Sequence, residues 1–249
     1  MGELKNWPFA VRVQATEPEG RLVVACRVPG ADLLQARGRL ALACEFFFAL
    51  ARQGAFRGAG EAPGSAPPGS LEPTFAVAGD REEVTVRGTC GRFDPLALGV
   101  LANLVESLLP EATWLSIALP VEFDPRQLAP GIYPAPVDPC PFSMVDESRD
   151  GNLEVRVDFV QAPGPPQRVH IEGALSDWWY ASTLGAFREA DQAAADSTAL
   201  PPQSIEWDDN SLSFTLEKVR ASAAMVEALV GIVVWIDRCI AAVASLDIG

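Results

Sequence analysis

Histidine is almost absent from this sequence of 249 residues, and the single one, His170, lies in no catalytic motif. It alternates with Val169 and Ile171, which predicts a strand with His170 on the face opposite to these two apolar neighbours. A nucleophile-elbow GxSxG motif is also lacking, so the sequence offers no pattern for Ser/His or Cys/His catalysis. We therefore expect a protein that is not an enzyme and has no catalytic residues.

Cofactor and metal motifs are missing as well. The five cysteines are odd in number and include no CxxC pair, which fits neither a disulfide framework nor a zinc site. The glycines between Gly54 and Gly69 lack the Lys-Ser/Thr of a phosphate-binding loop. The carboxylates Glu206, Asp208 and Asp209 are too few and too close together for a calcium-binding EF-hand loop. We expect no cofactor and no metal.

The sequence also shows no secretory signal, which predicts a cytoplasmic protein. Its most apolar stretch, 223–244, is long enough to span a bilayer, but it carries Glu227, Asp237 and Arg238. Charged side chains are costly at membrane depth. We therefore expect a buried helix there and no membrane association.

Positive charge is scarce, since the net charge is −14. The balance of Lys and Arg against Asp and Glu is −3 for 1–122, −3 for 123–150 and −8 for 151–249. An acidic surface repels phosphate backbones and attracts basic proteins, so we expect no direct nucleic-acid binding and a protein partner, with a basic one favoured. Solubility explains the same charge equally well.

What the sequence does contain is two similar halves. Val11-Arg12-Val13 matches Val155-Arg156-Val157 at an offset of 144 residues, and each begins a predicted hairpin. The second strands of the two hairpins are predicted at 21–28 and 167–172, and helices follow at 33–52 and 177–196. After a Pro/Gly/Ser/Ala loop at 58–73, which we expect to be mobile, the offset falls to about 130 residues.

Strand pairs and closing helices then recur in both halves, and a last strand is predicted at 114–119 with a shorter equivalent at 244–248. The sequence predicts an α+β fold of two tandem pseudo-symmetric ββαββα(β) halves, each an antiparallel sheet packed with two helices. Six prolines between Asp124 and Pro141 predict a semi-rigid connector. The predicted domains are a first repeat at 1–122, a Pro-rich linker at 123–150 and a second repeat at 151–249.

Two groups of three consecutive aromatic residues occupy the matching helices. Neighbouring residues on a helix project about 100° apart, so three in succession cannot all enter one core. Packing between the two halves explains such residues, and so does an external protein interface. The partner-binding candidates are Phe46, Phe47, Phe48, Trp178, Trp179 and Tyr180.

Each half contains a strand pair, at 74–89 or 204–217, that leads into a closing helix with Leu, Val and Ile at core spacing. On these elements each half resembles the YbjN-like family and, beyond it, type III secretion chaperones of small α+β fold. The resemblance implies a non-enzymatic adaptor or chaperone-like protein that binds a partner polypeptide along exposed strand edges or apolar helix faces. Those chaperones have an additional first helix and act as dimers of one domain, whereas here two copies are joined.

Two other functions fit the sequence. A bacterial immunity or antitoxin-like inhibitor is also small, acidic and free of motifs. An enzyme or small-molecule binder would need an apolar pocket between the halves, where carboxylates such as Glu172 or Glu227 converge. The expected assembly is either a monomer with pseudo-twofold symmetry or a homodimer.

Overall fold

A computed structural model describes residues 3–4, 7–18, 21–30, 32–56, 76–78, 83–89, 93–121, 140–147, 151–188, 204–219 and 221–249. The predicted loop at 58–73, most of the predicted linker and the end of the helix predicted at 177–196 lie outside these residues. The chain divides into two compact units. Unit 1 comprises Met1–Arg52 and Gly64–Pro134, and unit 2 comprises Gln53–Pro63 and Ala135–Gly249.

Unit 1 is built on a six-stranded sheet and two helices. Its elements in chain order are β1 (Glu3–Leu4), β2 (Ala10–Glu17), β3 (Arg21–Arg27), α1 (Leu33–Arg52), β4 (Ala76–Ala78), β5 (Glu83–Thr89), α2 (Pro95–Leu108) and β6 (Trp114–Pro120). The strands lie in the order β1-β2-β6-β3-β5-β4. Neighbouring strands are antiparallel except β2 and β6, which are parallel.

Unit 2 is built on a five-stranded sheet and two helices. Its elements are β7 (Ser143–Asp146), β8 (Gly151–Phe159), α3 (Pro165–Thr183), β9 (Glu206–Asp208), β10 (Ser211–Val219), α4 (Ala223–Cys239) and β11 (Val243–Ile248). The strands lie in the order β7-β11-β8-β10-β9. Here β7 and β11 are the parallel pair, and the other neighbours are antiparallel.

Each sheet contains a βαββαβ segment whose strands lie in the order fourth, first, third, second. The segment is β3-α1-β4-β5-α2-β6 in unit 1 and β8-α3-β9-β10-α4-β11 in unit 2. This is the split βαβ arrangement of the ferredoxin-like fold. In each unit one further strand, β2 or β7, precedes the segment and runs parallel to its last strand. In unit 1, β1 extends the sheet beyond β2.

The fold is α+β, as the sequence predicts, but several finer predictions are wrong. Both sheets are mixed rather than purely antiparallel, because β2 and β7 run parallel to their neighbours. The hairpin predicted at 153–172 does not form, since Gln167 to Glu172 lie within α3, which begins before Ser176 and Asp177. The strand that precedes the first helix of the βαββαβ segment is β3 in unit 1 and β8 in unit 2, so matching Val11 with Val155 is also wrong. The predicted linker contains β7, a strand of the unit 2 sheet.

Local chemistry explains where α3 begins. Pro165 and Pro166 occupy its first turn, where the backbone amides have no intrahelical acceptor and proline is therefore tolerated. The Gln167 side chain accepts a hydrogen bond from the Gly164 amide (2.9 Å) and donates one to the Ile240 carbonyl (2.5 Å). The start of α3 is thus fixed to the end of α4.

Side-chain caps begin both closing helices. The Asp94 carboxylate accepts a hydrogen bond from the Ala97 amide (2.7 Å) at the start of α2. The Ser222 hydroxyl accepts one from the Met225 amide (3.1 Å) and donates one to the Phe187 carbonyl (2.6 Å). The apolar side of α4 is buried, and no helix in the described part of the chain is long and apolar enough to cross a membrane.

The unit 2 sheet has one buried face and one open face. Leu153, Val155 and Val157 of β8 are buried, whereas Glu154 and Arg156 between them are exposed. Phe214 of β10 lies opposite Val155 and packs against α3, so the buried face is the one that meets the helices. The alternate residues of the strands form the open face.

Candidate functional site

The aromatic group predicted in α3 lies mostly in the core of unit 2. Trp178 is fully buried and Trp179 nearly so, whereas Tyr180 is 48% exposed. Trp178 Nε1 donates a hydrogen bond to the Met225 carbonyl (3.1 Å). Both tryptophan rings also pack at steep angles against Phe214, with centroids 6.2 and 5.5 Å away. Both tryptophans therefore pack in the core of unit 2 and expose little or no surface.

The phenylalanine group in α1 is also mostly buried. Phe47 and Phe48 are buried, with ring centroids 5.3 Å apart, and Phe47 also contacts Phe93 at 5.9 Å. Phe46 is half-buried. Of the six candidates, Phe46 and Tyr180 retain surface that a partner can reach, and a partner-binding role stays a prediction for these two.

His170 and Glu172 lie on α3 rather than on a strand. His170 is exposed, and its Nδ1 is 2.9 Å from the Pro166 carbonyl oxygen of the preceding turn. Glu172 accepts a hydrogen bond from Trp207 Nε1 (2.7 Å). Glu172 therefore joins α3 to β9.

The buried cysteines are not reactive groups. Burial raises the pKa of Cys26 to about 12, with a further contribution from the charges of Glu111 and Glu83. Burial also raises the pKa of Cys44. Both thiols therefore stay protonated. A protonated thiol does not react, because the thiolate is the nucleophile. Within the described ranges, no group of His, Cys, Asp and Glu is placed to hold a metal ion.

The outer edge of β7 has the properties of a binding surface for an extended chain. All four residues of β7 are exposed, including Met144 at 42% and Val145 at 46%. β7 pairs with β11 on one side, and no strand among the described residues pairs with its other side. Such an edge presents backbone N–H and C=O groups to another strand.

Two other strand edges differ from that of β7. At the far edge of unit 2, β9 carries Glu206 and Asp208, and charged side chains discourage strand pairing. Trp207 between them stacks on Phe159 (5.8 Å between centroids) and lies beneath the Arg168 guanidinium (4.5 Å). In unit 1, β2 runs parallel to the last strand as β7 does, and β1 pairs with its outer edge at Val11 and Arg12.

The open face of the unit 2 sheet, which continues inward from β7, is strongly acidic. We call this surface the acidic face; its six carboxylates are Glu154, Asp158, Glu206, Asp208, Glu217 and Asp247. Arg156 lies among them, directly opposite Asp247 on β11. Val145 of β7 also lies opposite Asp247, so the acidic face reaches the exposed edge.

The single arginine of the acidic face is held by Asp158. Arg156 Nε donates a hydrogen bond to Asp158 Oδ1 (3.0 Å), and the Ser211 and Ser245 hydroxyls donate to the same carboxylate at 2.5 and 2.9 Å. Burial alone would raise the pKa of Asp158, but these hydrogen bonds and the Arg156 charge outweigh it and lower the pKa. The bond to Asp158 likewise raises the pKa of Arg156. The paired arginine leaves the face with a net negative charge.

A groove of about 640 Å³ lies over the acidic face. Val145 and Glu147 line it at the β7 side, and Glu154, Arg156 and Asp247 line it on the neighbouring strands. Small-molecule sites are mostly apolar and enclosed, whereas this groove is lined by charged side chains on an open sheet. Its chemistry suits an extended polar chain with positive charge.

Sequence reasoning missed this site because 143–146 fell within the predicted linker. The available signal was the apolar pair Met144 and Val145, which follows Phe142 directly after the proline-rich stretch. Four residues are too few to show strand alternation. Their pairing with β11, about 100 residues later in the chain, cannot be seen from local sequence.

No model of a known protein family matches this chain, and no curated protein does. Weak alignments to solved structures include the following two. A predicted insulinase family protease from Yersinia pestis aligns at 13% identity and a TM-score of 0.22, over 86% of this chain and 66% of that one. The periplasmic protease PqqL from Escherichia coli aligns at 13% identity and a TM-score of 0.22, over 94% of this chain and 35% of that one. Likeness at this level carries no inference about fold or activity.

Proposed function

We propose that this chain is a non-enzymatic protein-binding module, of adaptor or chaperone-like type, that captures an extended segment of a partner by strand addition at β7. The observation that carries the proposal is the exposure of all four β7 residues at a sheet edge. In strand addition, main-chain hydrogen bonds supply affinity and alternate side chains supply selectivity. The exposed Met144 and Val145 offer apolar contacts on the two faces of the added strand.

The partner is a different protein rather than a second copy of β7. If two β7 strands paired, their sheets would join edge to edge and bring two acidic faces together. Each face carries six carboxylates and one arginine that is already paired. The carboxylates of the two faces would repel each other, so charge disfavours a dimer formed by pairing of two β7 strands.

The two units are proposed to be copies of one duplicated fold. β3 and β8 begin 130 residues apart (21 and 151), β5 and β10 begin 128 apart (83 and 211), and β6 and β11 begin 129 apart (114 and 243). A single offset near 130 residues along the whole repeat fits a tandem duplication more simply than the sequence-based alignment, in which the offset changes from 144 to about 130 residues. On this view, β1 covers the edge of unit 1, while the corresponding edge of unit 2 is left for a partner.

The direct test removes one backbone donor from the outer edge. The Glu147 amide donates to the Ile248 carbonyl of β11 (2.7 Å), and strand amides alternate in direction, so the Val145 amide also points to β11 and the Met144 amide points outward. Met144→Pro therefore removes an outward N–H without removing a bond to β11, and edge strands tolerate proline there. Met144→Leu is the matched control because it keeps both the amide and an apolar side chain.

Peptides selected from a random displayed library against the full chain are the probe, and fluorescence anisotropy is the readout. We expect Met144→Pro to weaken binding about tenfold, which corresponds to one lost hydrogen bond, while Met144→Leu binds within about twofold of the original chain. Unfolding curves should show that both variants fold. Equal binding by all three chains, or failure to select any peptide, would contradict strand addition at β7.

A further inference from the structure

Unit 1 contains an example of the pairing proposed for unit 2. Its strand β2 runs parallel to the last strand of the unit, as β7 does, and β1 pairs antiparallel with the outer edge of β2. In that pair Glu3 lies opposite Arg12, and Leu4 lies opposite Val11. Arg12 is exposed, whereas Val11 is fully buried. In unit 1, the strand β1 thus places an acidic residue beside the exposed Arg12 and an aliphatic residue beside the buried Val11.

In unit 2 the matching positions of β7 are uncharged, and the nearest charge on the open face is the carboxylate of Asp247 on the neighbouring strand. Val145 lies opposite Asp247 on the open face of the sheet. Met144 lies opposite Leu246, which is buried on the other face. A strand added outside β7 would place one residue beside Val145 and the next beside Met144. The residue beside Val145 would have Asp247 two strands away, about 10 Å, with Glu147 on the same side of the groove. Lys and Arg are the side chains that are long enough and of the right sign.

We infer that the segment captured at β7 runs antiparallel to β7 and alternates basic residues, which face the acidic groove, with aliphatic residues beside Met144. This inference rests on the strand addition proposed above. It also argues against β1 of a second copy as the occupant. That strand would bring Glu3 towards the carboxylates of Asp247 and Glu147, where β1 in its own unit has Arg12.

Three eight-residue peptides test the side-chain pattern: alternating Lys-Leu, alternating Thr-Leu and alternating Glu-Leu. We expect the Lys-Leu peptide to bind about tenfold more tightly than Thr-Leu, and Glu-Leu to bind more weakly than both. A peptide of the same composition arranged as Lys-Lys-Leu-Leu controls for general attraction to an acidic protein. It should bind no better than Thr-Leu, because its lysines cannot all face one side of a strand.

Variants of the chain separate this inference from the proposed function. Asp247→Asn combined with Glu147→Gln should remove most of the preference for Lys-Leu while leaving Thr-Leu binding unchanged. Asp209→Asn, in the turn between β9 and β10 and not among the residues that line the groove, is the matched control and should retain the preference. If Lys-Leu and Thr-Leu bind equally and Met144→Pro weakens both, the charge pattern is overturned and strand addition stands. If Met144→Pro weakens neither, strand addition itself is overturned.

Orientation is tested with a nitroxide label on either end of the bound Lys-Leu peptide. In an antiparallel complex, a label at the peptide N-terminus should broaden the amide resonance of Glu147 more than that of Ser143. A label at the C-terminus should do the reverse. The opposite result would show a parallel strand and overturn the analogy with β1.

Discussion

Trp178 shows at the residue scale why a run of aromatic side chains is not by itself an interface. Its ring is fully buried and its indole N–H is bonded to Met225, whereas Tyr180, two residues later, is 48% exposed. Trp178→Ala should lower the free energy of unfolding by about 3–5 kcal/mol, and Tyr180→Ala should change it by about 0.5 kcal/mol or less. Urea unfolding followed by fluorescence would measure both. Similar losses for the two variants would contradict the assigned burial.

Asp158 links one carboxylate to stability against acid. Because hydrogen bonds lower its pKa in the folded state, its stabilising contribution is present above the unfolded value of about 3.9 and is lost as the pH falls through the folded pKa. Asp158→Asn should cost about 1 kcal/mol or less at pH 7, since the site is partly solvated, and the difference should shrink below about pH 4. Unfolding curves at pH 7, 5 and 3 would test this.

Ser245→Ala is the control for Asp158, because it removes one of the donors to that carboxylate and leaves Arg156 and Ser211 in place. It should give a smaller loss of stability with the same dependence on pH. A difference between Asp158→Asn and the original chain that grows towards low pH would contradict the lowered pKa.

Helix α4 at the element scale contains a glycine that packing requires. A Cβ at Gly231 would lie 2.5 Å from the Gly54 carbonyl oxygen, and Gly54 belongs to unit 2 together with α4. Gly231→Ala should destabilise unit 2 by about 1–3 kcal/mol, although alanine is the better helix former. Thermal or urea unfolding would measure the loss.

Gly99 in α2 provides the matched comparison, because a Cβ there would meet no atom within 4 Å. Gly99→Ala should stabilise unit 1 by up to about 1 kcal/mol through helix propensity alone. If both substitutions stabilised the protein, the close approach at Gly231 would be refuted.

The elements also show which parts of this fold can be predicted from sequence. In unit 1, the elements from β2 onward agree with the sequence within a few residues, because turns and caps such as Asp94-Pro95 mark their ends, whereas the two-residue β1 is not predicted. In unit 2, Val169-His170-Ile171 alternates like a strand but lies in α3. The helical signal was present in the buried residues Ile171, Ala174, Leu175 and Trp178, which follow the spacing i, i+3, i+4, i+7. This longer helical pattern determines the structure, and the three-residue alternation at Val169-His170-Ile171 does not.

The candidate site was less predictable than the fold. Three consecutive aromatic residues on a helix cannot all enter one core, but this pattern does not tell which of them is exposed, and large apolar side chains favour burial. The β7 edge depends on a parallel pairing with β11 and on the lack of a described strand outside it, and both are properties of the sheet rather than of 143–146. The excess negative charge of the second half was visible in the sequence, but its concentration on one sheet face follows from strand register.

At the scale of the whole molecule, two units with the same strand order differ at one sheet edge. Unit 1 has β1 outside β2, whereas unit 2 has an exposed β7 beside its acidic face. This difference is the basis of the central claim that unit 2 receives a strand from a basic partner. If the claim is correct, the outward amide of Met144 and the inward amide of Val145 should differ in how far the partner slows their hydrogen exchange.

Hydrogen exchange of the β7 amides, measured by NMR with and without the Lys-Leu peptide, tests that claim most directly. We predict that the outward amide of Met144 becomes protected at least tenfold on binding, while the inward amide of Val145, which already points to β11, changes little. Saturating peptide that leaves the exchange of Met144 unchanged, or protects the β9 edge instead, would contradict strand addition at β7.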